Sequence, residues 1–260
     1  MSVTLNYNCG TTTAMRLAGV LVAVVAAFLP LHLMAGPEGE NASEQVVEAL
    51  PDSVMTSVSV VSPLDSLFVS SPISVLEILP PASRAAMIER SHAGQSATAL
   101  STLYSVSVLD TLEPDYLKLK LTEASELTLN LTEDHKKQPL LVVVYTVGAE
   151  GISKDSDIEF YDGEWNQLPK EKFWEMPEIK DFLTARKGEK VDLKKVAELV
   201  PFPTYILTVS PDARTITGSL TVDTYLSEEA KEELKPYLVP SRTWRWDGKK
   251  YKLEKIRTDR

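Results

Sequence analysis

Apolar and polar residues alternate with a period of two along three successive stretches. Tyr104, Val106 and Val108 stand between serines, Leu117, Leu119 and Leu121 between lysines, and Leu127, Leu129 and Leu131 around Thr128 and Asn130. That period sends neighbouring side chains to opposite faces, so it predicts antiparallel strands with one buried and one wet face. Residues 140–147 are apolar almost throughout, which predicts a central strand covered on both sides. Asp162-Gly163 predicts a two-residue hairpin turn between arms at 158–161 and 164–168, because glycine accepts the positive φ of a type I′ turn. Ile73, Leu76 and Leu79 predict a short helix stopped by Pro80. Pro81 opens a second helix, with Ala85, Met87 and Ile88 on its apolar side and Gly94 at its end. From Pro169 the spacing is helical through Phe173 and Trp174, breaks at Pro177, and resumes at Ile179, Phe182 and Leu183. Asp192 and Ser227 are helix caps, the first before Leu193, Val196 and Leu199, the second before Glu228 and Glu229. Strands at 205–209 and 215–222 join at Pro211-Asp212. Trp244-Arg245-Trp246, an Asp247-Gly248 turn and residues 251–256 make the closing hairpin.

Residues 114–132 and 203–221 align without a gap, matching at Pro114/Pro203, Tyr116/Tyr205, Ala124/Ala213, Thr128/Thr217, Leu131/Leu220 and Thr132/Thr221. Such self-similarity points to a duplicated module. The expected fold is α+β, with two related helix-plus-antiparallel-meander units whose sheets are covered by helices on one face and open to water on the other. By layout this is similar to the tandem units of β-lactamase inhibitor proteins, which grip a partner with an open sheet. The expected divisions are a signal peptide at 1–36, a Ser/Pro-rich linker at 37–71, a first unit at 72–168 and a second at 169–260.

Arg16 precedes an uncharged run, residues 17–35, that ends in the small residues Ala35 and Gly36. This is the layout of a secretory signal, with Met15 as its start; a retained anchor is the alternative. A periplasmic or extracellular place is expected, with no stable membrane insertion once the signal is cleaved. Cys9, the only cysteine, lies ahead of the apolar run. The mature chain would hold no thiol, which removes disulfides, thiol catalysis and cysteine metal sites. With 37 acidic against 27 basic residues the net charge is -10, unfavourable for nucleic acid as a partner.

Leu50-Pro51-Asp52-Ser53-Val54, residues 84–89, Pro114-Asp115-Tyr116 within 112–121, Ile158-Glu159-Phe160-Tyr161 followed by Trp165, and Pro236-Tyr237-Leu238 before Trp246-Asp247-Gly248 together resemble a Bacteroidales-restricted family of small exported proteins, a domain of unknown function. The resemblance implies export and an α+β body. It implies no activity and supplies no catalytic residues.

Candidate chemistry is sparse. After signal cleavage only His92 and His135 remain, neither with a second histidine or a carboxylate at metal-ligand spacing. Asp155 with Asp157, or Glu123 with Glu126, are the carboxylate pairs a glycosidase would need, and Asp155, Asp157 and Glu159 the oxygen ligands calcium would need, although the glycine of a calcium loop is missing. No nucleophile elbow, phosphate-cradling loop or zinc-protease motif is present. No catalytic, cofactor or metal site is expected. Asp52-Ser53-Val54, Asp65-Ser66-Leu67 and Asp110-Thr111-Leu112 resemble an O-glycosylation acceptor pattern, the first two in the expected linker. Trp244, Trp246 and Tyr251 interleave with Arg242, Arg245 and lysines, either as plain cross-strand pairs, Trp244 facing Tyr251, or as an edge that stacks on a glycan or anionic polymer. The expected function is noncatalytic binding of an unknown protein or glycan, with Lys118, Lys120, Thr128 and Asn130 on a wet sheet face and Trp244, Arg245, Trp246 and Tyr251 on the hairpin. A glycan hydrolase of the envelope and a structural part of a surface assembly are the alternatives.

Overall fold

A computed structural model of the chain describes residues 62–185 and 188–255. Helices α1 (Pro63–Ser70) and α2 (Pro81–His92) lead into β1 (Thr98–Leu100), β2 (Val106–Glu113), β3 (Tyr116–Thr122), β4 (Ser125–Glu133), β5 (Pro139–Val147), β6 (Asp155–Asp162) and β7 (Gln167–Leu168). These seven strands form one antiparallel sheet in chain order. Beyond it come helix α3 (Leu193–Ala197), strands β8 (Tyr205–Val209) and β9 (Thr215–Leu220), helix α4 (Glu228–Leu234), and strands β10 (Ser241–Trp246) and β11 (Tyr251–Leu253). The last four strands make a second antiparallel meander, β11-β10-β9-β8. The fold is thus α+β on two antiparallel sheets. Among the described residues no helix is long and apolar enough to cross a membrane.

Alternation decides what covers each strand. Leu117, Leu119 and Leu121 of β3 and Leu127 and Leu129 of β4 are buried against Leu64, Phe68, Met87 and Ile88 of the two helices. Each such side chain contributes about 1.5–3 kcal/mol. Strand β5 is apolar on both faces because both are covered. Leu141 and Val143 join the helices, while Leu140, Val142 and Val144 join Ile158 and Phe160 beneath the second sheet. That sheet contributes Tyr205, Leu207, Val209, Ile216, Trp244, Trp246 and Tyr251, closed at one side by Trp174 and Phe182. Gly218 leaves room for the Trp244 ring, since a Cβ there would lie 3.1 Å from its Cζ3.

The face opposite the helices is therefore not open throughout. The second sheet covers its β5–β6 half, with β8 packed on both strands. The second sheet rests its inner face on the first sheet, and α3 and α4 contribute Val196 and Leu234 to a smaller cluster that meets the sheet at Leu220. The expected boundary at 168/169 falls between the sheets, but the shared core runs across it, and both sheets belong to one compact unit.

Several connections differ from the sequence expectation. Residues 63–70, assigned to the linker, form α1. The Ser62 hydroxyl accepts from Asp65 N at 3.1 Å, the Asp65 carboxylate accepts from Ser62 N at 3.0 Å, and Pro63 stands in the first turn. Asp65-Ser66-Leu67 thus sits in a helix with its aspartate buried, not in an open linker. Residues 72–80 form successive turns instead of a helix, burying Val75, Leu76 and Leu79 and leaving Ile73 exposed. Between Pro169 and Leu183 the helical spacing yields only the 3-10 turns Lys170–Lys172 and Ile179–Phe182. The 162–163 turn is a wider loop. Asp162 Oδ1 accepts from Glu164 N at 2.8 Å and Asn166 N at 2.9 Å, and the positive φ falls on Trp165, at 64°, rather than on Gly163. The Trp165 indole compensates by donating to Leu67 O at 3.1 Å. Residues 1–61, with the signal segment, most of the linker and Asp52-Ser53-Val54, lie outside the described residues.

The two stretches proposed as copies are both hairpins, β3–β4 and β8–β9. Their registers differ by one position, Tyr116 pairing with Asn130 but Tyr205 with Leu220, and two matched pairs differ in environment. Tyr116 is half-buried on the uncovered face and Ala124 exposed, whereas Tyr205 and Ala213 are buried in the inter-sheet core.

Burial, with the charges of Asp155 and Asp157, pushes the Tyr205 phenol up to about 12, and burial likewise raises Tyr145, Tyr161 and Tyr251. A raised folded-state pKa gives stability that is complete below the ordinary tyrosine value of about 10 and is lost as pH rises through the folded value. We expect the melting temperature to hold up to about pH 10 and then to fall steeply, with these phenols ionising, by ultraviolet absorbance, only as the chain unfolds. Free ionisation of all tyrosines near pH 10 in the folded protein would contradict the packing.

Candidate binding surface

Strand parity puts Lys118 and Lys120 of β3 and Glu126 and Thr128 of β4 on the side away from the helices, with Tyr116 beside them. Cross-strand pairing adds Val108, Thr111 and Glu113 of β2, through a bulge between Leu109 and Thr111. None of these belongs to a hydrophobic cluster. Lys120 and Glu113 are exposed, and Val108, Thr111, Tyr116, Lys118, Glu126 and Thr128 half-buried. Lys118 bridges to Glu126 at 3.2 Å, an exposed pair worth well under ~1 kcal/mol. Burial holds the Tyr116 phenol above its ordinary value, with Glu113 adding to this against Lys118 and a hydrogen bond with Thr128. The surface is a shallow sheet face of threonines, a tyrosine and paired charges.

Asn130 lies in the same row but does not belong to that surface. It is fully buried at the corner where the sheets meet, and its Nδ2 donates to Ser210 O at 3.0 Å and Pro211 O at 3.4 Å in the β8–β9 turn. It is a joint between layers.

The closing hairpin is corrected more thoroughly. Trp244, Trp246 and Tyr251 are buried in the inter-sheet core, Trp246 against Tyr251 with ring centroids 4.8 Å apart and Trp244 against Trp174 at 5.1 Å. The strand pair is Trp246 with Tyr251, not Trp244, because the loop is wider than two residues: Asp247 Oδ1 accepts from Lys249 N and Lys250 N. Of that group only Arg245 faces water, bridged to Glu254 at 2.6 Å. The rings that looked free to stack on a glycan are occupied with one another.

The other candidates are dispersed. His92 bonds Asp65 at 2.8 Å as a tie between α1 and α2, and His135 is an exposed loop residue. Asp155, Asp157 and Glu159 do not converge: they engage Tyr205 N, Lys170 Nζ and the Tyr161 hydroxyl respectively. Glu126 is held by Lys118, and Glu123 is exposed at the β3–β4 turn. Among the described residues no group of three or more acidic, histidine or cysteine side chains is arranged to hold a metal ion.

A cleft of about 670 Å³ opens between the loop ends of the two sheets, lined by Asp115, Asp134, His135, Asp212, Arg214 and Trp246 among others. Its aspartates are turn residues. Backbone bonds from Gln138 and Lys136 hold Asp134 below the ordinary carboxylate range, and the Ser210 hydroxyl and Arg214 N–H do the same for Asp212. A general acid needs a carboxyl displaced the other way.

The surface predicted from alternation thus keeps Lys118, Lys120 and Thr128 and loses Asn130, Trp244, Trp246 and Tyr251. Tyr116, Thr111 and Glu126 were missed as surface residues. Tyr116 has the same parity as Lys118 and Lys120, so alternation alone could have found it. We expect Asn130→Ala to lower stability in urea by about 1 kcal/mol, through loss of the donor to Pro211 O and to Ser210 O, the latter still accepting from Ala213 N, and Asn130→Asp by more than ~3 kcal/mol, because a buried carboxylate would face those carbonyls with no donor. An Asn130→Asp variant as stable as the parent would remove the joint's assigned role.

The family model described as Protein of unknown function (DUF3256) matches residues 49–251. It starts inside the stretch assigned to the linker and runs through both sheets, treating them as one unit. No curated protein matches the chain. Among solved structures the chain is similar to a domain of an uncharacterized protein from Porphyromonas gingivalis W83, at 23% identity and a TM-score of 0.62, covering 75% of this chain and 99% of that one. At that identity the likeness concerns the fold. With the family's span covering every strand from β1 to the start of β11, the chain belongs to the DUF3256 family of proteins of unknown function.

Proposed function

We propose that this chain is an exported, noncatalytic binding protein of a Bacteroidales-restricted family, and that it grips a partner with the uncovered β2–β4 half of its larger sheet. One observation carries this reading: the second sheet stops at β5, so that among the described residues no layer lies above Thr111, Tyr116, Lys118, Lys120 and Thr128. A flat, half-buried face of this composition suits a polar partner that presents carboxylates or hydroxyls between the lysines. Export rests on the signal-like segment ahead of residue 37, and the Porphyromonas neighbour supports the group assignment. The low-held carboxylates of the cleft favour binding over hydrolysis.

The test compares the protein with a Lys118→Glu/Lys120→Glu variant as bait for envelope extract, with cross-linking. The Lys118–Glu126 bridge is lost and like charges face each other across β3 and β4, so a drop in melting temperature of at most a few degrees is expected, with the fold retained by circular dichroism. A species held by the parent and bound roughly tenfold more weakly by the variant is expected. Equal capture by both, or no capture by either, would overturn the reading.

A further inference from the structure

The far end of the seam between the sheets carries a patch that neither the core nor the proposed binding face uses. Gly148 turns the chain out of β5 at φ 131°, and a Cβ there would lie 2.8 Å from Lys154 Cα and 2.9 Å from Ser153 O, so the loop 148–154 closes tightly on itself. The Ser153 hydroxyl donates to Thr221 O and bonds the Thr224 hydroxyl. Thr221 Oγ1 in turn donates to Lys154 O at 2.5 Å and bonds the Thr204 hydroxyl at 3.0 Å, and the Tyr225 hydroxyl donates to Phe202 O. Residues 152–155, 202–205 and 221–225 are thereby tied into one base. From it large apolar side chains stand in water: Ile152 is 65% exposed, Phe202 76% and Tyr225 40%, with Val147 at 57% beside them, paired to Asp155 across β5 and β6.

Apolar side chains clustered in water on a fixed backbone mark a contact surface. The charges around them select the occupant. Glu150, Asp155 and Asp223 are exposed next to these residues, against the half-buried Lys154, on a chain of net charge -10. Two such patches would meet with like charges, which disfavours a second copy, and anionic lipid meets the same repulsion. We propose that this patch docks a segment of another protein in which an apolar side chain is flanked by lysine or arginine, the apolar group lying on Ile152, Phe202 and Tyr225 and the cations facing Glu150, Asp155 and Asp223. The contact is small, so the binding is of the weak, transient class, with most of the ordering already done by the hydrogen bonds beneath.

The experiment uses a synthetic peptide of alternating lysine and leucine with a central phenylalanine, and its counterpart with glutamate in place of lysine, each titrated into the isotope-labelled full chain and followed by NMR. The basic peptide should shift signals at 147–155, 202–205 and 221–225 and bind at least roughly tenfold more tightly than the acidic one. Ile152→Ser/Phe202→Ser, confined to exposed side chains, should cost about tenfold with no loss of melting temperature. Glu150→Lys/Asp223→Lys should reverse the preference between the peptides. Shifts centred elsewhere, equal affinity for both peptides, unchanged affinity in the first variant, self-association of the free chain through these residues, or preference for anionic vesicles over peptide would each overturn the proposal.

Discussion

The rest of the structure depends on how the edge of the second sheet is received by the first. Strand β8 ends its sheet, and the Thr221 N–H bond to Thr204 O fixes a register in which the Tyr205 and Leu207 N–H groups point away from β9. Left bare and buried, each would cost about 1–3 kcal/mol. Neither finds a backbone partner. Asp155 Oδ1 accepts from Tyr205 at 3.3 Å, and Ser156 Oγ accepts from Leu207 at 3.0 Å while also bonding Thr146 Oγ1 at 2.8 Å. Side-chain acceptors at the start of β6 thus take the place of a further strand. The sheets therefore stack face on face near β5 and β6 instead of merging edge to edge, and an aggregation-prone edge is closed in the same step.

This attachment sets the rest of the surface. Because the second sheet is anchored at β6, its aromatic inner face reaches across β5 and stops, so β5 must be apolar on both sides and β3 need be apolar on only one. The difference between the unbroken run at 140–147 and the lysine-leucine alternation of β3 is the same fact expressed in composition. The outer edge of β1 is managed differently. Leu109 N bonds Ala97 O, so Thr98 O points outward, and Arg90 covers it at 2.6 Å. A short strand with a charged cap is a poor template for another chain.

Period-two strands were legible at Leu117 to Leu121 and Leu127 to Leu131 because burial on a single face leaves its mark residue by residue, but in β2 the parity is reversed: Ser107 and Leu109 are buried while Tyr104 and Val106 stand in water. The caps Asp192 and Ser227 were legible because one side chain and one N–H decide them, Lys194 N for the first and Ala230 N for the second. What alternation could not reveal was which wet-looking positions meet another layer. Asn130 and Thr128 read alike as small polar groups, yet one lies under the β8–β9 turn and the other in the open. Trp244, Trp246 and Tyr251 sit among lysines and arginines in the sequence, but strand parity sends Arg245 and Lys252 outward and turns the rings inward together with Arg242. Turn widths were hidden too, since Asp162 and Asp247 bind N–H groups several residues on and so favour a loop wider than the Asp-Gly pair suggests. The candidate surface was legible as a strand face and illegible as a boundary, because the boundary is set by contacts far apart in the chain.

The irregular segments are held by a common device that answers the demand of buried backbone for partners. Arg84, 1% exposed and without a carboxylate in its bonds, donates to Phe68 O and Ser71 O where α1 ends. Asn130 donates to Ser210 O and Pro211 O, and Arg242 donates to Asp181 O and Glu254 O. In each case one buried donor spans two carbonyls where a helix, turn or strand ends, adding to the bonds that Phe68 O and Ser210 O already accept from Ser71 N and Ala213 N. Burial lowers both arginine pKa values, Arg242 against a smaller opposing pull from Asp181, yet an arginine stays charged at any ordinary pH. A buried cation contributes little net stability once its desolvation is counted, so the benefit lies in geometry: only one placement of each segment satisfies its donor. The uncovered face and the seam patch are thereby presented on a frame whose connections, as well as its strands, are held in a single arrangement.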